Sequence, residues 1–133
     1  MIAAVADTHA ALWYLFGDPR LSARAKEFID QSAANRSSIE ISPISLAEIV
    51  YLVEKNRVAS SALNDLRSAL ANPNHVFKEA PFTSDVVNAM RQVSREEVPD
   101  MPDRIVAATA IFFGVPVISR DGRIRTSRVQ TLW

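Results

Sequence analysis

The sequence contains no cysteine. A disulfide scaffold, a thiolate zinc site and a cysteine nucleophile are therefore excluded, and the composition fits a reducing compartment. Histidine is almost as scarce, because only two are present, and this leaves little room for a multi-histidine metal site. A metal site in this chain would have to rely on oxygen ligands.

The sequence also lacks an excess of charge of one sign, because 15 lysines and arginines balance 15 aspartates and glutamates. A uniformly basic nucleic-acid-binding protein and an acidic disordered tail are therefore excluded, and any function of charge must come from its placement. No apolar run approaches the roughly 20 residues of a membrane span. The N-terminus has no basic segment typical of a signal peptide. We expect no membrane association and a cytoplasmic location.

The chain of 133 residues, 48% of them hydrophobic, has the size and composition of one domain, and we expect a single domain over residues 1–133. Short apolar runs predict strands at 2–6, 38–42, 75–80, 115–119 and 129–132. Apolar residues at helical spacing predict helices at 8–16, 22–34, 44–55, 60–70, 83–93 and 102–113. This alternation predicts an α/β fold, a three-layer α/β/α sandwich with a central, mostly parallel sheet.

Acidic residues follow the predicted strands at the edge where α/β sheets bind ligands. Asp7 comes directly after the first strand, and Glu48 lies one turn into the helix after the second. Asp103 lies in the first turn of the alanine-rich helix, and Asp121 follows the strand at 115–119. No histidine, lysine or glycine-rich phosphate loop occupies these places.

Each of these acids also has a purely structural explanation. Asp7 can cap the following helix, and Ser45 with Glu48 matches a capping box. Asp103 can complement a helix dipole, and Asp121 can begin an ordinary turn. Against these explanations, neither Glu48 nor Asp103 has a lysine or arginine partner at helical spacing.

A pocket that gathers four carboxylates needs a cation, because otherwise some of them must take up protons. Mg²⁺ or Mn²⁺ is the natural cation for an all-oxygen site. Such a site is suited to the hydrolysis of a phosphodiester, because the metal activates water and stabilises the leaving oxygen.

Arginines cluster beside one of these acids. The C-terminal segment sets four of them against Asp121, namely Arg120, Arg123, Arg125 and Arg128. They form either a solvated edge or a rim that binds the phosphates of a nucleic acid, such as RNA. Arg104 either joins this rim or pairs internally.

Together the acids and their neighbours make four motifs, Val5-Ala6-Asp7-Thr8-His9-Ala10 with Leu12-Trp13, Ile44-Ser45-Leu46-Ala47-Glu48-Ile49, Pro102-Asp103-Arg104-Ile105-Val106-Ala107-Ala108-Thr109-Ala110 and Ile118-Ser119-Arg120-Asp121. In their order and spacing the motifs resemble the PIN-domain ribonucleases, and within them the VapC toxins of type II toxin–antitoxin systems. The resemblance covers the whole chain. It implies an α/β/α sandwich and Mg²⁺- or Mn²⁺-dependent endoribonuclease activity on tRNA, rRNA or mRNA.

The resemblance also implies roles for the acids. Asp7 and Asp103 match the principal metal ligands. Glu48 and Asp121 match acids that bind the metal directly or through water. The remaining acid, Asp100, is either the N-cap of its helix or an accessory ligand.

Two hydroxyl residues match pocket positions of the family, since Ser119 and Thr8 are expected to form hydrogen bonds there. His9 also fits the motif, but a lone histidine entering an apolar helix is more often a packing residue. The aromatic residues Trp13, Tyr14 and Phe16 serve either the core or the binding of an antitoxin, and the core is the favoured interpretation. The family implies a homodimer and a VapB-like antitoxin that blocks the active site.

Two other interpretations stay open. A phospho-acceptor receiver domain also clusters aspartates at strand ends, but it needs a lysine after a late strand, where this chain has Ile118-Ser119-Arg120-Asp121. A PIN fold that cleaves DNA, or one that only binds nucleic acid, is the second interpretation.

Overall fold

A computed structural model describes residues 1–125, 127 and 129–133, and within these residues five strands form one sheet. The strands are β1 (Ile2–Ala6), β2 (Ser38–Ile41), β3 (Phe77–Glu79), β4 (Val117–Ile118) and β5 (Thr131–Leu132). Their order across the sheet is β3-β2-β1-β4-β5, and every neighbouring pair is parallel. The predicted α/β class with a mostly parallel sheet is confirmed.

Helices fill the connections between the parallel strands. They are α1 (Thr8–Phe16), α2 (Ala23–Ala34), α3 (Pro43–Glu54), α4 (Ala62–Ala71), α5 (Ser84–Ala89), α6 (Met101–Phe113) and α7 (Gly122–Arg125), with a short 3₁₀ helix at Met90–Gln92. In the part of the chain that the structure describes, no helix is long and apolar enough to cross a membrane.

The sheet is the middle of three layers, because successive side chains of a strand point to opposite faces. In β1, Ala4 and Ala6 belong to one buried cluster and Val5 belongs to the other. Helices α1 to α4 contribute buried residues to the first cluster. Helices α5, α6 and α7 contribute to the second. The three-layer arrangement is therefore confirmed.

The elements differ from their predicted bounds where the backbone has other partners. The strand predicted at 115–119 shrinks to β4, because Val115 donates its N–H to the carbonyl of Ala110 at the end of α6 and Pro116 has no N–H to donate. The helix predicted at 83–93 divides into α5 and the 3₁₀ helix. The turn predicted at Asp121 is instead the start of α7.

The connections from strand to helix bring the candidate residues to one edge of the sheet. The N–H of Asp7 donates to the carbonyl of Ile118 at 3.1 Å, so the chain leaves β1 and β4 side by side. Helix α3 begins one residue after β2 ends, and α6 packs against both α3 and β1. The chain segments that carry the predicted acids therefore meet at the carboxyl ends of the strands.

The left-handed backbone conformation at the end of α6 can be tested by substitution. Gly114 caps this helix with a φ of 69°, and a Cβ at this position would meet no described atom within 4 Å. We expect Gly114→Ala to lower the free energy of unfolding by about 1–2 kcal/mol, because the left-handed conformation is costly for alanine. Denaturant unfolding measures the change. Gly122→Ala is the control, because its surroundings are equally open and its φ is not positive, and a loss as large as that of Gly114→Ala would contradict the explanation.

Candidate active site

Asp7 connects two elements through its side chain. Its Oδ1 accepts the N–H of Ala10 at 2.9 Å, which makes Asp7 the N-cap of α1. Its Oδ2 accepts the hydroxyl of Ser119 at 2.5 Å. The capping explanation for Asp7 is thus correct, and the same carboxylate also lines the candidate site.

Ser119 ties Asp7 to a second acid. Its side chain is fully buried, and its Oγ accepts the N–H of Asp121 at 2.9 Å while it donates to Asp7. The carboxylate of Asp121 accepts the N–H of Arg123 at 2.8 Å at the start of α7. A single hydroxyl therefore sets the position of two aspartates relative to each other.

Glu48 is held from the other side of the site. Its Oε1 accepts the hydroxyl of Thr8 at 2.5 Å, and Thr8 is almost fully buried. The capping-box explanation is wrong, because α3 is capped by Ser42, whose Oγ accepts the N–H of Ile44 at 3.2 Å. The side chain of Glu48 is therefore available to the cavity.

Asp100 and Asp103 come from the start of α6. Asp100 is the N-cap, since its Oδ1 accepts the N–H of Asp103 at 3.0 Å. Both side chains also line the cavity, so capping and proximity to the site are both features of Asp100.

These five acids surround one cavity of about 340 Å³. Its lining consists of Asp7, Thr8, His9, Trp13, Arg20, Glu48, Asp100, Asp103, Arg120 and Asp121. The lining holds no lysine among the described residues, which argues against a receiver-like site.

The cavity strongly disfavours negative charge on Asp103. Burial, followed by the charges of Asp100, Asp121 and Glu48, raises the pKa of Asp103 from 3.8 to about 7. Burial also raises the pKa of Asp7, against the opposing effect of the hydrogen bond from Ser119. The site therefore has carboxylates that an added cation would stabilise in the charged form.

The donor set fits a hydrated divalent cation. Among the described residues, no three histidine, aspartate or glutamate side chains are grouped closely enough to bind one metal ion directly. Mg²⁺ does not require such a cage, because it keeps several waters and is usually bound by one or two carboxylates together with substrate phosphates. Five acids around a cavity large enough for those waters meet this requirement.

The cations of the cavity include one that the sequence analysis missed. The guanidinium of Arg120 lies 4.6 Å from the ring centre of Trp13, and that of Arg20 lies 5.0 Å from the same ring. The only sequence signal for Arg20 was its spacing from Asp18, an acid two residues earlier.

The other arginines lie elsewhere. Arg104 does not reach the cavity, because it donates to the carbonyls of Met90 and Val93, so its assignment to the RNA-binding rim is wrong and its internal pairing is correct. Arg123 and Arg125 are exposed on α7, outside the cavity lining. Arg128 lies outside the described residues.

The aromatic residues and His9 need two corrections. Trp13 is buried as expected, at 6% exposure, and Tyr14 packs against the same core, but Phe16 is 47% exposed. His9 is exposed and lines the cavity with its ring 5.5 Å from that of Trp13, so it is not a core residue.

Comparisons with known proteins agree with this architecture. Ribonuclease VapC22 of Mycobacterium tuberculosis is 27% identical over 128 residues, which cover 96% of this chain and 94% of that protein. Two solved structures share the fold. VapBC2 from Rickettsia felis, bound to a DNA fragment from its promoter, has a TM-score of 0.71 at 18% identity and covers 99% of this chain and 98% of its own. FitAcB from Neisseria gonorrhoeae has a TM-score of 0.60 at 20% identity and covers 100% of this chain and 97% of its own.

The family of this chain is shown by a direct match along the sequence. The model of the PIN domain matches residues 4–129, which includes all five acids of the cavity. The chain therefore belongs to the PIN domain family.

Proposed function

We propose that this chain is a Mg²⁺- or Mn²⁺-dependent endoribonuclease and the toxin of a type II toxin–antitoxin pair. The observation that carries the proposal is the cavity in which five acids converge, one of them with its pKa raised to about 7. Membership of the PIN domain family and similarity to a protein named as a ribonuclease support the same reaction class.

The cavity residues divide into cation holders and positioning groups. Asp7 and Asp103 would hold the cation, and Glu48 and Asp121 would hold it directly or through water. When bound, the cation would lower the pKa of a water and balance charge on the phosphate. Asp100 adds negative charge at the N-terminus of α6.

The positioning groups restrict the carboxylates before any ligand arrives. Thr8 holds Oε1 of Glu48, and Ser119 holds Oδ2 of Asp7. Both hydroxyl residues are at least 97% buried, so water does not compete well for these bonds. Fixed carboxylates would hold a cation and an attacking water in a defined place relative to the RNA phosphate.

We propose RNA rather than DNA as the substrate, because the similar protein from Mycobacterium tuberculosis is named as a ribonuclease. The proposed partner is a VapB-like antitoxin, since the solved neighbours include a toxin–antitoxin complex from Klebsiella pneumoniae, with a TM-score of 0.62 at 20% identity. A homodimer and a cytoplasmic location complete the proposal, and sedimentation of the purified chain measures the former.

Neutralising either principal acid tests the cation site. We expect Asp7→Asn and Asp103→Asn each to lower kcat/KM for Mg²⁺-dependent RNA cleavage by at least about 100-fold, because charge stabilisation at the phosphate is lost. Asparagine can still cap α1, so the fold should persist. Cleavage of labelled RNA and DNA, each with Mg²⁺ and with EDTA, measures the activity and the substrate.

Asp65→Asn is the matched control, because Asp65 is an exposed aspartate in the first turn of α4, outside the cavity. Circular dichroism checks that all variants are folded. Wild-type activity in a folded double variant, Asp7→Asn with Asp103→Asn, would show that the site is wrongly assigned.

The hydroxyl of Ser119 can be tested separately. We expect Ser119→Ala to lower kcat about 10- to 100-fold, because Asp7 and Asp121 lose the group that positions them. Ser32→Ala is the control, because Ser32 is also buried and its hydroxyl donates to a carbonyl, that of Phe28, on α2. Single-turnover cleavage measures the step, and equal losses in the two variants would refute a specific role for Ser119.

The repulsion among the acids predicts how the metal-free protein responds to pH. The pKa of Asp103 is about 7 in the folded state and 3.8 in the reference state. Between these two pH values the folded state binds a proton that the unfolded state does not bind. The free energy of unfolding therefore has its full contribution from Asp103 below about pH 4 and loses it as pH rises towards 7. We therefore expect the Tm in EDTA to fall between about pH 4 and about pH 7, and Mg²⁺ to raise it most at the higher pH.

Scanning calorimetry of the wild type, Asp103→Asn and Asp65→Asn measures this response. The fall in Tm should be smaller in Asp103→Asn and unchanged in Asp65→Asn. A Tm that rises over the same interval in the metal-free wild type would contradict the electrostatic account.

A further inference from the structure

Arg20 lies on the cavity wall although it follows α1 in a loop. Its guanidinium packs over the ring of Trp13, at 5.0 Å, and Arg120 packs over the same ring from β4's carboxyl end, at 4.6 Å. Both arginines and Trp13 line the cavity that holds the five acids. Two cations are therefore fixed beside one indole at the edge of the acidic cavity.

Asp18 determines where Arg20 points. Its carboxylate accepts Nε of Arg20 at 3.1 Å and Nη2 at 2.7 Å, and it also accepts the backbone N–H of Arg20 at 2.9 Å. The N–H of Asp18 donates to the carbonyl of Trp13 at 2.8 Å, which joins the loop to α1. The guanidinium is therefore held by an acid on one side and by an aromatic ring on another.

Arg20 keeps donors for a further anion. Its side chain is 61% exposed, and the contacts to Asp18 use Nε and Nη2. Within the described residues, Nη1 has no hydrogen-bond partner, and neither Arg20 nor Arg120 forms an ion pair with an acid of the cavity. An exposed ion pair of this kind contributes little to stability, so stabilising the loop does not explain why the arginine is placed at the cavity.

A phosphate group matches this arrangement. A guanidinium binds phosphate through paired hydrogen bonds in a fixed plane, and a preset plane costs little entropy when the anion binds. A nucleic-acid strand whose cleaved phosphate sits over the acids must place its neighbouring phosphates at the cavity rim. The rim at Trp13 carries the two arginines that can meet them.

We propose that Arg20, oriented by Asp18 and Trp13, binds an RNA phosphate adjacent to the cleaved one, beside the phosphate contact made by Arg120. The proposal rests on the endoribonuclease function proposed above. It assigns Arg20 to substrate binding and Asp18 to positioning, and neither residue touches the reacting atoms.

Arg20→Ala tests the contact by kinetics. We expect KM for RNA to rise about 5- to 10-fold while kcat changes less than about 2-fold, because a contact to a neighbouring phosphate contributes to ground-state and transition-state binding alike. Arg20→Lys should give an intermediate KM, because lysine keeps the charge but lacks the planar fork. Lys26→Ala is the matched control, because Lys26 is equally exposed, at 62%, and pairs with Asp30 outside the cavity.

Binding without cleavage separates this proposal from the proposed activity. In an Asp103→Asn background, the affinity for a labelled single-stranded RNA of about 20 nucleotides is measured over a range of salt concentrations. Loss of one phosphate contact should reduce the slope of log K against log salt by about 0.7. Arg20→Ala should show this reduction, whereas Arg20→Lys and Lys26→Ala should not.

The proposal is overturned if Arg20→Ala alters KM and the salt slope no more than Lys26→Ala does, or if its effect falls on kcat alone. It is also overturned if Arg20→Ala leaves the affinity for the labelled RNA unchanged at every salt concentration. If the wild type cleaves no RNA at all, the proposed function fails, and the salt slope still decides whether Arg20 contacts phosphate.

Discussion

The carboxylate of Asp7 accepts one hydrogen bond at each oxygen, and these two bonds join the fold to the site. The bond from Ala10 starts α1 at the carboxyl end of β1. The bond from Ser119 fixes the segment that follows β4, which in turn orients Asp121. Because β1 and β4 are hydrogen-bonded neighbours in the sheet, their pairing determines where Asp7 and Asp121 lie relative to each other.

The clustering of acids at this site has an electrostatic cost. Burial and three nearby carboxylates raise the pKa of Asp103, so the charged form of this acid opposes folding in the absence of a cation. Sequence features that stabilise the fold, such as the fully buried side chains of β1 and β4, must offset this cost. A site that is unfavourable when empty binds a cation more strongly, because the ligand removes repulsion that the fold already contains.

Much of this arrangement follows from periodicity and from where strands end. The apolar runs and the helical spacing of apolar residues predicted the order of elements, and the parallel sheet then placed the acids at one edge. Glu48 shows the limit of local reasoning. Its spacing from Ser45 satisfies a capping box, yet Pro43 favours the first helical turn and moves the cap to Ser42.

The arginines show a second limit of prediction from sequence, because a long side chain can contact partners that lie outside its local sequence pattern. Arg104 neighbours an acid of the site but extends to the carbonyls of Met90 and Val93, at the two ends of the 3₁₀ helix, which no local pattern indicates. Arg20 lies outside every motif, and the packing of its loop against α1 brings it to Trp13.

The net charge of the chain is zero, but within the cavity the arginines and the acids are held apart. Oppositely charged groups line one cavity, yet among the described residues neither Arg20 nor Arg120 forms an ion pair with its acids. Asp18 holds the guanidinium of Arg20, and the indole of Trp13 contacts the guanidinium groups of both Arg20 and Arg120. Under the proposed function, the acids without cationic partners would bind the metal ion, and the arginines at the rim would bind phosphate. The separation of charge would then allow a metal ion and a polyanion to occupy the same cavity, each stabilised by protein charges of the opposite sign.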